Sequence, residues 1–138
     1  VGSEMCIRDR LHKVEQATKK FDELTVGLAL NYGSRTEVVD AVKAITEAAQ
    51  EDKIDLNELD YDVFRQYLYT KDMPDPDLII RTSGECRLSN FLLLQSAYSE
   101  IYLSDVLWPD FDQAEFGTAL KAYASRERRF GKTAEQVT

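Results

Sequence analysis

Cysteine and histidine are scarce in this sequence: Cys6, Cys86 and a single histidine, His12, in 138 residues. The two cysteines lie far apart with no Cys-x-x-Cys or Cys/His spacing, so neither a zinc site nor a disulfide framework is expected, and a reducing cytoplasm suits the chain. His12 stands outside every motif found below and reads as a surface residue. Long apolar runs are also missing. No stretch nears the ~18 apolar residues of a membrane-spanning helix, and the most apolar one, Phe91 to Leu94, covers about one helical turn. The protein is therefore expected to be soluble, though its substrates need not be. Positive charge is in deficit, because 17 lysines and arginines against 25 acidic residues leave 17 − 25 = −8. That excludes nucleic acid as a general electrostatic partner, so any anion site must be local. The first ten residues, VGSEMCIRDR, carry no apolar period and no signal-peptide layout. They are set apart from the fold, as either a frayed terminus or a translated cloning scar.

What the sequence does have is enough apolar content, 43%, for one domain with a core, and too little length for two. Leu11 to Phe21 has helical spacing, and Leu24 to Leu30 reads as a strand apolar on both faces, which suggests a buried parallel sheet. After Asn31-Tyr32-Gly33, Ser34 and Glu37 have capping-box spacing, and Val38, Val42, Ile45 and Ala49 trace one helix face. Asn57 can cap a further helix through Leu59, Val63, Phe64, Tyr67 and Leu68, which Pro74 and Pro76 end. Leu78 to Ile80 reads as a strand. A buried helix is expected from Asn90 to Ser99, a strand from Ile101 to Leu103, and a last helix from Gln113. The last helix is capped by Asp112 with Glu115, stapled by Phe111 and Phe116, and runs into Arg126-Glu127-Arg128-Arg129 before Gly131. Residues 132–138 read as a loose tail. Strands alternating with helices define an α/β class, a mostly parallel sheet flanked by helices. Ligands in such sheets bind beyond the carboxyl ends of strands, which points to the turns Asn31 to Ser34 and Arg81 to Gly84.

Between Asp77 and Phe91 the sequence gathers Arg81, Arg87, Ser89 and an expected helix N-terminus. Guanidinium groups grip phosphate oxygens bidentately, and free N–H groups at a helix start add directed donors, so a diphosphate would suit this segment. The residue types leave a second reading open, in which Arg81 pairs with Glu85 or Asp77, Ser89 merely caps a helix and Arg87 is solvated. Glu100 is equally open, either a magnesium ligand or an ordinary ion-paired carboxylate.

The order of residues narrows the choice. The stretch DLIIRTSGECRLSNFLLLQSAYSEIYLSDVLWPDF closely resembles the most distinctive signature of the cis-prenyltransferases of the undecaprenyl diphosphate synthase kind, and NYGSR resembles their earlier NYGGR block. The resemblance runs from about Leu11 to Gly131, the C-terminal part of a single domain of that family. It implies a transferase that condenses isopentenyl diphosphate with an allylic diphosphate, typically farnesyl diphosphate, using Mg2+, to make a long cis-polyprenyl diphosphate such as undecaprenyl diphosphate. By the same resemblance Arg81, Arg87 and Ser89 hold the isopentenyl diphosphate and Glu100 helps bind magnesium. Arg129 and Gly131 match an Arg-x-Gly motif that reaches into a partner's site, which implies a homodimer. A cytoplasmic enzyme, touching the inner face of the membrane through its lipid product, is expected.

Three departures qualify the match. Ser34 replaces a glycine of the NYGGR block, Leu94 replaces a frequent tryptophan, and Cys86 sits where relatives vary. A segment like MDGNGRWA, with the catalytic aspartate, has no counterpart here, so no catalytic residue is assigned. A truncated, inactive piece of the enzyme is therefore expected. The alternative is a noncatalytic partner subunit that donates Arg129 and Gly131 to another chain.

Overall fold

The chain divides into two compact units, residues up to Asn31 and residues from Tyr32 onward, in a computed structural model that describes residues 2–126, with side chains from Ile7 on. The first unit holds helix α1, Gly2–Thr18, which takes in most of the residues set apart in the sequence. It stops short of Phe21. Thr18 Oγ1 turns back to donate to Val14 O at 2.9 Å, and the Phe21 N–H bonds Thr18 O at 2.9 Å instead of continuing the ladder, a local competition typical of hydroxyl side chains. The strand expected from Leu24 to Leu30 is not formed. That segment is irregular, and Leu24, Val26, Leu28 and Leu30 are all exposed. A strand needs a neighbour to take its N–H and C=O groups, and the ladder among the described residues joins two other segments.

The second unit opens on α2, Ser34–Gln50. Its buried stripe is Ser34, Glu37, Ala41, Ile45 and Ala48, a helical period rotated from the expected one, so that Val42 faces water. Because Gly33 is the N-cap residue, Ser34 lies inside the helix and the expected capping box does not form. Asn90 from a distant loop caps α2 instead: its backbone oxygen accepts from Ser34 N at 2.9 Å and its Oδ1 from Arg35 N at 3.0 Å. Glycine at position 33 makes room for this, since a Cβ there would meet Asn90 Nδ2 at 2.8 Å. A 3₁₀ turn at Leu56–Glu58 and the short helix α3, Tyr61–Arg65, follow. Asp60, not Asn57, caps α3, accepting from Val63 N at 2.9 Å.

Strands β1, Leu78–Arg81, and β2, Glu100–Leu103, pair in parallel with Leu78 opposite Glu100 and Arg81 opposite Leu103, within a residue of where they are expected. The connection between parallel strands usually carries a helix, and one was expected from Asn90 to Ser99. Turns occupy it instead. Ser89, Asn90 and Leu92 adopt φ of 50°, 63° and 46°, left-handed conformations that no right-handed helix can accept. A 3₁₀ turn at Trp108–Asp110 leads to α4, Gln113–Ala124. Asp112 caps it as expected, accepting from Ala114 N at 2.9 Å and Glu115 N at 3.0 Å. Phe111, expected to staple onto Phe116, stacks on Trp108 with centroids 6.2 Å apart, while Phe116 stays largely exposed.

Candidate functional site

Arg81 closes β1, so it sits at the carboxyl end of the strand pair, where ligands bind in sheets of this class. Among the described residues its guanidinium has no ion pair and no hydrogen bond. The turn after it folds back along the segment that follows β2: Ser83 N donates to Val106 O and Gly84 N to Ser104 O, both at 2.9 Å. Ser83 and Gly84 are both left-handed, with φ of 68° and 64°, and their N–H groups are spent on the protein. The helix start expected at Ser89 and Asn90 is absent, so the directed N–H donors inferred from the sequence are not there. What remains for an anion is guanidinium and hydroxyl chemistry.

Arg87 and Ser89 are exposed on the loop beyond this turn. Arg87 Nη1 lies 2.5 Å from Glu85 Oε2, an exposed pair that a dianionic ligand could displace, since such pairs are worth little in water. The pairing considered for Arg81 with Glu85 is thus made by Arg87, which the same reading had left solvated. Cys86 is a free, exposed thiol. Asn31 lies in the first unit and Arg35 in the second. Arg129 and Gly131 lie outside the described residues.

Glu100 is not with the arginines. It begins β2 opposite Leu78, three residues from the Arg81 end, or about 10 Å along a strand. Its Oε2 accepts from Arg126 Nη1 at 2.6 Å, which ties β2 to the end of α4. Among the described residues no cluster of three or more histidine, cysteine or acidic side chains could hold a metal. A carboxylate held by a guanidinium does not make a magnesium site by itself, because this cation needs several oxygen ligands.

A polar centre that the sequence did not suggest lies behind the loop. Glu37 is fully buried and accepts from Tyr32 Oη at 2.5 Å, Tyr69 N at 2.9 Å and Gln95 Nε2 at 3.1 Å. Gln95 Nε2 also donates to Thr70 Oγ1 at 2.9 Å, while its buried Oε1 has no partner. Burial, and then donation to Glu37, pushes the Tyr32 hydroxyl up to about 12 from 10.0, so it remains a donor under ordinary conditions. The signal for this centre was available: Glu37 falls on the same stripe as Ala41, Ile45 and Ala48, and a charged residue on the apolar face of a helix requires partners.

A parallel strand pair with a basic strand end and a loop of arginine and hydroxyl groups defines an α/β protein suited to phosphate-bearing ligands. The family model described as "Putative undecaprenyl diphosphate synthase" matches residues 4–131, and the chain belongs to that prenyltransferase family. It is 52% identical over 126 residues to a Thermoplasma acidophilum protein named tritrans,polycis-undecaprenyl-diphosphate synthase (geranylgeranyl-diphosphate specific), covering 91% of this chain and 49% of that one. It is 57% identical over 120 residues to an isoprenyl transferase of Thermotoga maritima, covering 86% and 50%. The crystal structure of lavandulyl diphosphate synthase from Lavandula x intermedia, in complex with dimethylallyl diphosphate, matches with a TM-score of 0.87 at 35% identity, covering 91% of this chain and 54% of that one. The chain spans about half the length of the curated relatives it matches.

Proposed function

We propose that this chain supplies the isopentenyl diphosphate half of a cis-prenyltransferase site, with Arg81 as the principal anchor. The observation that carries this reading is Arg81 itself, a guanidinium at the carboxyl end of β1 that no acidic group among the described residues neutralises. Arg87, released from Glu85, and the Ser89 hydroxyl would complete the grip. Such a grip offsets the charge of the diphosphate and fixes the direction of its alkene, converting an encounter in solution into an oriented one. A new carbon–carbon bond then forms between isopentenyl and allylic carbons as the allylic C–O bond breaks, the diphosphate leaves, and a proton is lost from the isopentenyl unit.

The allylic substrate expected from the sequence is farnesyl diphosphate. The Thermoplasma acidophilum relative is named for geranylgeranyl diphosphate, so both belong in the assay. Undecaprenyl diphosphate, or a similar long product, is the proposed outcome. A homodimer in which Arg129 and Gly131 meet the partner's substrate, and a cytoplasmic enzyme contacting the membrane through its product, complete the proposal. No step is assigned to magnesium. Arg126 engages Glu100 Oε2, so a cation meeting that oxygen would compete with it.

Isopentenyl diphosphate binding to the intact protein, followed by calorimetry, tests the reading. Replacing Arg81 by alanine should weaken binding by about 10- to 100-fold, the usual cost of losing a charge-assisted contact.

A further inference from the structure

Residues 89–92 should not hold their shape alone. Three of these four residues, Ser89, Asn90 and Leu92, take left-handed backbone conformations without being glycine, and such conformations persist only where the surroundings over-determine them. The surroundings here are the first turn of α2. Asn90 accepts from Ser34 N through its backbone oxygen and from Arg35 N through Oδ1, at 2.9 and 3.0 Å. Ser34 Oγ returns a bond, accepting from Leu93 N at 3.2 Å. Gln95, two residues further, is tied to Glu37 on the same face of the helix. Two N-terminal donors of α2, the N–H groups of Ser34 and Arg35, are thus given to the loop that bears Arg87 and Ser89.

We infer that Asn90, seated on the first turn of α2, is a positioning residue that sets the placement of Ser89 and Arg87 for the diphosphate of the substrate. This rests on the proposed diphosphate reading and adds to it the element that shapes the loop. Asn90 suits the task because it tolerates the left-handed region and carries an acceptor that replaces an ordinary N-cap. The Ser34 hydroxyl adds a bond that the glycine of the NYGGR pattern could not make.

The test is isopentenyl diphosphate affinity in the intact protein, at a temperature where circular dichroism shows every variant folded. Asn90→Ala should weaken binding about tenfold, in line with other supporting contacts around a site. Asn90→Asp, which keeps an acceptor for Arg35 N–H, should recover most of that loss. Affinity for the allylic diphosphate should be unchanged, whereas an equal loss of both ligands would mark a general folding defect and overturn the role. Should Asn90→Ala fail to fold, Ser34→Gly serves in its place. It should speed amide exchange at Leu93 and weaken isopentenyl diphosphate binding, and wild-type binding would again overturn the inference. If Arg81→Ala and Arg87→Ala weaken binding but Asn90→Ala does not, the positioning role alone falls. If none of the three changes binding, the diphosphate reading falls with it.

Discussion

Replacing Glu37 by alanine is the most demanding test of how this fold is held. The carboxylate is fully buried and satisfies three donors from separate segments: Tyr32 before α2, Tyr69 after α3, and Gln95 in the connection between the strands. A stranded buried donor costs about 1–3 kcal/mol. Here the lower end applies to each, because Gln95 Nε2 keeps Thr70 Oγ1 and water can reach exposed Tyr69. Three donors at about 1 kcal/mol each give about 3 kcal/mol, and relief of the buried charge offsets a part of it. That remains a large share of the 5–15 kcal/mol, roughly, by which domains are stable. Urea unfolding of the intact protein should show a lower midpoint with an unchanged slope. Glu37→Gln, which keeps an acceptor but turns an amide toward one donor, should lose about half as much. A loss below about 1 kcal/mol for Glu37→Ala would refute the view that this carboxylate ties the three segments together.

Two further perturbations probe other joints. The folded Tyr32 hydroxyl titrates at about 12 against 10.0 unfolded, so its contribution is complete below pH 10.0 and lost as pH climbs to about 12. Tyr32→Phe should remove that part of the alkaline loss seen by tyrosinate absorbance, leaving the parts due to Tyr61 and Tyr69, whose hydroxyls are also raised. The Glu100–Arg126 pair, partly exposed on both sides, should give a coupling of about 0.5–1 kcal/mol in a double-mutant cycle with Glu100→Gln and Arg126→Ala. A coupling of zero would mean the pair does not hold α4 to β2 in solution.

The strands were legible because each is a short branched apolar run with an abrupt start, after Pro76 in one case and after a polar turn in the other. The α4 cap was legible because Asp112 and Glu115 stand where nothing competes for the helix N–H groups. The same spacing misled at Ser34 and Glu37. There Asn90, far away in sequence, supplies the cap, and Glu37 is drawn into the core as an acceptor. The run Phe91 to Ser99 has a composition that suits a helix, but the left-handed residues at its start and its bonds to α2 decide otherwise. Leu24 to Leu30 shows the limit of pattern alone, since an apolar run becomes a strand only when a neighbouring strand accepts its backbone. At the candidate site the sequence singled out Arg81 at the end of an expected strand, and the structure places it as the last residue of β1. Glu100 was named through the resemblance, and parallel register puts it at the opposite end of the pair from Arg81.

The measurement that bears most directly on the proposed function is calorimetric binding of isopentenyl diphosphate to the intact protein and to its Arg81→Ala variant, with farnesyl and geranylgeranyl diphosphates assayed for turnover in parallel. Saturable binding that weakens by about 10- to 100-fold on removing Arg81 is the predicted result, with elongation expected only when a family-like N-terminal segment is supplied. Binding that is absent, or indifferent to Arg81 in a folded protein, would contradict it.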